Sequence, residues 1–160
     1  LWHKGRSLEA VIKEVLCWLR LFGIRVDVAL CDRDFYKGNV LQAFKRSDIA
    51  LVMPGRSKTS TRLRIIEYLK GDAPRFFTDS LVSQKYKENG RPVEIPYLVV
   101  IYARRGENLR RVVAEYRRGD ITAAEALGKV FPILIVPSSK MTVADVLRSL
   151  DILPSKPGNR

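Results

Sequence analysis

The chain has 160 residues, 46% of them apolar, enough for one domain, or one core with a sub-domain, and too many for a disordered segment. Twenty-nine Lys and Arg against 17 Asp and Glu leave a net charge of +12, and that excess favours a polyanionic partner, because each neutralised phosphate releases condensed counterions. No run approaches the roughly 18 apolar residues of a membrane span, none reads as a secretory signal, and two cysteines with one histidine, His3, cannot build a zinc site of the usual ligand spacing.

In chain order, Leu8, Val11, Ile12, Val15, Leu16, Leu19 and Phe22 recur at helical spacing, with Ser7 as the cap and Gly23 as the stop. Trp18 in this helix reads as core. A strand follows, with Ile24, Val26, Val28 and Leu30 alternating with other residues up to Cys31. It runs directly into Asp32-Arg33-Asp34-Phe35-Tyr36. A second helix is expected over Lys37 to Lys45, with Val40, Leu41 and Phe44 inward, and then a short apolar strand from Ile49 to Met53, stopped by Pro54-Gly55. Helix, strand, helix and strand with short connections are the grammar of an α/β core with parallel strands. Cys17 and Cys31 read as reduced thiols of a cytoplasmic protein.

After Pro54 the character changes. Arg56 to Thr61 is polar and basic, and Arg62 to Lys70 carries Leu63, Ile66 and Leu69 on one helical face. From Gly71 to Tyr102 the signals are strand-like, with a hairpin turn within Tyr86-Lys-Glu-Asn-Gly-Arg; Pro92 and Pro96 confine the start of the returning strand to an edge. Glu107 to Arg118 reads as a helix, Thr122 with Glu125 as a capping box, Phe131 to Val136 as a buried strand, and Thr142 with Asp145 as the start of a last helix ending near Leu150. The Pro-rich tail from Pro154 is expected to fray. Three segments follow: an α/β core over 1–55, a β-rich insertion over 56–105, and a return to the core over 106–160.

The chemistry concentrates at Asp32. A hydrophobic strand delivers a carboxylate at its carboxyl end, where α/β sheets build their sites. The competing structural role is a cap on the following turn, or a pair with Arg33. The run Asp32-Arg33-Asp34-Phe35-Tyr36, followed by a helix and by Ile49-Ala-Leu-Val-Met-Pro54, resembles the block around the second catalytic aspartate of prokaryotic insertion-sequence transposases of the DDE kind. The specific match covers Val28 to Pro54. Asp34 stands where such proteins carry a small or variable residue.

The resemblance implies an RNase H-like fold, with Asp32 as a catalytic residue and metal ligand. It also implies Mg²⁺ or Mn²⁺ as cofactor and cleavage and transfer of DNA strands at transposon ends. Two such ions about 3.5–4 Å apart would activate the attacking oxygen and stabilise the leaving one. The first aspartate of the family would lie on a strand ahead of Ser7. The third acid, in a Tyr-x2-Arg-x3-Glu pattern, finds no match: Tyr102 and Arg105 lead to Leu109, and Tyr116 leads to Gly119. Glu107, Glu115 and Glu125 read as solvated helix residues. The chain is therefore expected to be an incomplete core, lacking the first strands, and inactive in strand transfer by itself. A sheet so shortened would leave an open edge on Ile24–Leu30 or Ile49–Met53 and invite self-association.

A second layer of candidate residues is basic: Arg33, then Lys58, Arg62 and Arg64, then the pairs Arg104-Arg105, Arg110-Arg111 and Arg117-Arg118. Paired arginines suit bidentate contacts to DNA phosphates. No aromatic residue interleaves with them along the chain, so duplex or backbone binding is expected over single-strand stacking. The alternative to a transposase fragment is a non-catalytic DNA-binding protein, such as a domesticated remnant, in which Asp32 is structural. A nuclease or resolvase of the same broad fold is a third reading.

Overall fold

A computed structural model describes residues 5–56 and 58–149. The fold is mixed α/β, built on one five-stranded sheet. In chain order it runs α1 (Leu8–Leu21), β1 (Val28–Leu30), a 3₁₀ turn (Arg33–Phe35), α2 (Gly38–Arg46), β2 (Ala50–Pro54), α3 (Thr59–Lys70), β3 (Phe76–Glu88), β4 (Arg91–Ala103), α4 (Leu109–Arg118), α5 (Ala123–Lys129), β5 (Val130–Val136) and α6 (Val143–Ser149). The expected end of the last helix at Leu150, and the tail, lie outside the described residues, as do Trp2 and His3.

The strand order is β1-β2-β5-β4-β3. β1 and β2 are parallel, as the helix between them requires, and every other pairing is antiparallel. Two reversals, β2 to β5 and β5 to β4, restore the original direction, so β1, β2 and β4 all point their carboxyl ends toward the same side of the sheet. The strands read as a β-rich insertion are part of this sheet: β3 and β4 extend it through β5, which comes from the last third of the chain and joins them to β2. Of the two edges anticipated, β1 is one. β2 lies inside, paired on both sides.

One face of the sheet packs on α1 and α2, with Leu41, Phe44, Leu51, Met53, Ile95 and Leu134 among its buried residues, and on α3, α4 and α5 around Ile65, Leu69, Ile101, Val112 and Val130. The opposite face is covered by α6, through Val146 over Ala50, Val52, Val100 and Ile135. Removing this apolar surface from water is the main stabilising term of the fold.

Local sequence explains most boundaries. Ser7 accepts from the backbone N–H of Ala10 and starts α1. The side chain of Thr122 accepts from the backbone N–H of Glu125, and the Glu125 carboxylate accepts from that of Thr122, completing a capping box. Asn89 and Gly90, at φ 52° and 77°, make the two-residue turn that joins β3 to β4, a conformation glycine adopts without steric cost. Pro92 and Pro96 fall on the part of β4 that precedes Leu98, where β5 does not yet pair, so neither removes a donor from an occupied ladder.

Three expectations need correction. The first strand is three residues long, not eight, because β2 offers partners only to Val28, Ala29 and Leu30. α3 begins at Thr59, inside the stretch read as linker, since three small polar residues serve a first helical turn as well as a loop. Trp18 is not core. It is 52% exposed and stacks on Phe22 at 6.1 Å. The apolar stripe of α1 is wider than the surface it meets: Ile12 and Leu16 are buried against α2 and the sheet, while Val15, Trp18, Leu21 and Phe22 face outward.

The turns at the amino end of β2 and the carboxyl end of β5 are tied by Asp48, whose carboxylate accepts from the backbone N–H and the hydroxyl of Ser139, both at 2.7 Å, with Lys140 at 3.5 Å. The Ser139 bonds, chiefly, hold the Asp48 carboxyl below its usual range. A carboxyl with a lowered folded pKa stabilises the fold fully above its unfolded pKa, and that stabilisation is lost as pH falls through the lowered value. Asp48→Asn should therefore lower the urea midpoint at neutral pH and flatten its decline in the acid range; parallel acid limbs for the two proteins would refute this role.

Candidate nucleic-acid interface

The carboxyl ends of β1, β2 and β4 open on one cleft of about 910 Å³. Arg33 enters it from the turn after β1, Pro54-Gly55 from the end of β2, Arg62 from the first turns of α3, and Arg104-Arg105 from the chain just past β4. Apolar groups line it as well, including the buried Ile65 and Pro132 and the half-buried Leu127 and Phe131. The placement follows from topology: strands running in one direction deliver their following loops to one side of the sheet.

The basic residues singled out in the sequence fall into two groups. Arg33, Arg62, Arg104 and Arg105 meet in the cleft. Among the described residues, Arg33, Arg104 and Arg105 form no ion pair, so their charge is available to a ligand. The others are turned to internal work. Arg111 lies between Glu107 and Glu115 at 3.2 and 3.3 Å, and Lys129 joins the same carboxylates from α5. Arg118 pairs with Asp120 at 2.7 Å and Arg64 with Glu67 at 3.3 Å. The Arg117 guanidinium donates to the carbonyl of Leu69 at 3.0 Å, fastening α4 to the end of α3. Arg110 is exposed on α4, away from the cleft lining.

Lys58 takes part in a different arrangement, one that sequence reasoning missed. Its ammonium donates to the Tyr36 hydroxyl at 3.2 Å; the Tyr36 and Tyr97 hydroxyls are 2.8 Å apart; Tyr97 donates to Asp79 at 3.0 Å. Lysine can only donate and aspartate only accept, so the protons run one way, from Lys58 through both hydroxyls to Asp79. Burial, chiefly, pushes the Tyr97 hydroxyl far up, which keeps it a donor. Arg56 and Lys58 also lie over the Tyr36 ring, at 5.1 and 5.5 Å from its centre. The chain thus anchors the segment between β2 and α3 beside the cleft. Its only signal in the sequence was the tyrosine closing the Asp32–Tyr36 run.

Asp32 is exposed, and its carboxylate accepts from the backbone N–H of Arg33 at 2.6 Å, capping the 3₁₀ turn. Among the described residues no group of three or more His, Cys, Asp or Glu could hold a metal ion. This donor set does not fit a two-metal centre, which needs several carboxylates converging on the ions. Burial pushes the thiol of Cys31, the neighbour of Asp32, up to about 11. The cleft gathers four arginines, a lining whose charge suits anions. Among the described residues no helix is long and apolar enough to cross a membrane. No family model, curated protein or solved structure matches the chain.

Proposed function

We propose that this chain is a DNA-binding α/β domain related to insertion-sequence transposases, which grips strand phosphates in its arginine cleft and does not cut DNA by itself. In this reading α1, β1, α2 and β2 are the part of an RNase H-like core that surrounds the second acid, Asp32, and the protein works in the cytoplasm on transposon-end DNA. Mg²⁺ or Mn²⁺ would require carboxylates beyond Asp32. The observation that carries the reading is the convergence of four arginines from three distant segments on one cleft. Charge alone would scatter them over the surface. Support for the family comes from the Asp32–Tyr36 run, set between a strand and a helix that leads to a second, parallel strand.

The test is a titration of labelled mixed-sequence DNA at several salt concentrations. Each phosphate held by a cation contributes about −0.9 to the slope of log K against log salt, so four arginines give a slope of roughly −3 to −4. A slope near zero, or no binding at low salt, would overturn the reading. Mn²⁺-dependent nicking that disappears in Asp32→Asn would overturn its non-cutting half.

A further inference from the structure

The cleft carries more than charge, and its shape bears on which form of DNA it takes. We infer that it receives the end of a single strand, one or two unpaired nucleotides with their phosphates, rather than the flank of a continuous duplex. The inference rests on the DNA-binding reading and refines it.

Size comes first. About 910 Å³ lies within the range of small-ligand pockets, roughly 300–1,000 Å³. It holds a nucleotide or two. A duplex, whose major groove alone is about 12 Å wide, can touch such a concavity only along its rim. The lining comes second. In a duplex the bases are stacked inside and present phosphates outward, and a surface built for that partner needs cations and polar groups. Here the half-buried Phe131 and Leu127 and the buried Ile65 share the lining with Arg33, Arg104 and Arg105, and the Phe131 ring lies 6.3 Å from that of Tyr102. An unpaired base offers the apolar face that such groups cover, and stacking on an aromatic ring accepts any base. Charge density points the same way. A terminal phosphate carries more negative charge and more free oxygens than a bridging one, and the guanidinium groups of Arg33, Arg104 and Arg105, which form no ion pair among the described residues, suit it. Along the sequence no aromatic residue interleaves with the arginines. Phe131 reaches them because β5 begins between the carboxyl ends of β2 and β4.

The experiment compares two DNAs of equal duplex sequence at one salt concentration. One is closed by hairpin loops at both ends, and the other carries a 5′-phosphorylated single-stranded overhang. The overhang form is expected to bind about tenfold tighter, the worth of roughly one stacked base. Phe131→Leu, which keeps apolar bulk in the sheet and removes the ring, should abolish that preference, read as the ratio of the two affinities. Unfolding melts of this variant must match the parent; if they do not, Leu127→Met, at a half-buried position of α5, serves as the second probe, with a partial loss of the preference expected. Equal binding of the two DNAs overturns the strand-end inference and leaves the DNA-binding reading standing. Binding of neither overturns both.

Discussion

Arg104→Ala combined with Arg105→Ala should weaken DNA binding about a hundredfold at moderate salt and flatten the salt slope by roughly 1.8. Both residues follow β4 directly and line the cleft, and neither forms an ion pair among the described residues. In the proposed reading their loss removes two phosphate contacts, and it strands no buried partner among the described residues, so stability should stay within experimental error. The informative control is the pair that looks equivalent on paper. Arg117→Ala with Arg118→Ala removes the same formal charge from α4, yet Arg117 holds the Leu69 carbonyl and Arg118 faces Asp120. That variant should lose stability and keep most of its affinity. If the two double variants weaken binding equally, overall charge governs the interaction and the cleft has no special part in it. Fluorescence anisotropy for binding and urea unfolding for stability separate the outcomes.

Gly38→Ala should destabilise the protein by about 1–3 kcal/mol, the usual range for forcing extra volume into a packed site. A Cβ at position 38 would come 2.6 Å from the Ser83 Cβ and 2.9 Å from its Oγ. The first of these atoms is fixed to the backbone of β3 and cannot rotate away. Ser83 also sits at the register shift between β3 and β4, where its hydroxyl accepts from the backbone N–H of Tyr86, so moving β3 would disturb the hairpin as well. The gain in helix propensity from alanine, at most about 1 kcal/mol, does not offset this. For a domain of this size each kcal/mol lowers Tm by about 2–4 °C. Ser83→Gly in the Gly38→Ala background should recover part of the loss, through a coupling that a double-mutant cycle measures. Additive effects would mean that the two positions do not touch.

How far these features were legible depended on the range over which they are determined. Helices and caps are local, and Ser7, Thr122, Asn89-Gly90 and the apolar periodicities announced them. Pairing partners are not local. Nothing in Phe131 to Val136 says that this strand lies between β2 and β4, and without that fact the hairpin reads as an insertion. The same gap hid the cleft. Arg33, Arg62 and Arg104 are far apart in the chain and meet only because β1, β2 and β4 share a direction. The pairing of Arg111 was within reach: Glu107, Arg111 and Glu115 are spaced four apart, as pairing along a helix face requires. Trp18 shows the opposite limit. Its helical position was correct, but whether a wide apolar stripe is fully covered depends on neighbours that a single helix cannot report.

The strand order also sets how the molecule must assemble. The β3–β4 hairpin closes through a two-residue turn, and β5 then reaches β4 after two short helices. The β2–β5 seam joins segments separated by about half of the chain, and closing so long a loop carries the largest entropic cost in the sheet. That seam unites the carboxyl end of β2 with the start of β5, where the arginines gather. Until it closes the chain has its hairpin and its helices but no cleft, so the DNA binding proposed for that cleft should be the last property a refolding molecule acquires.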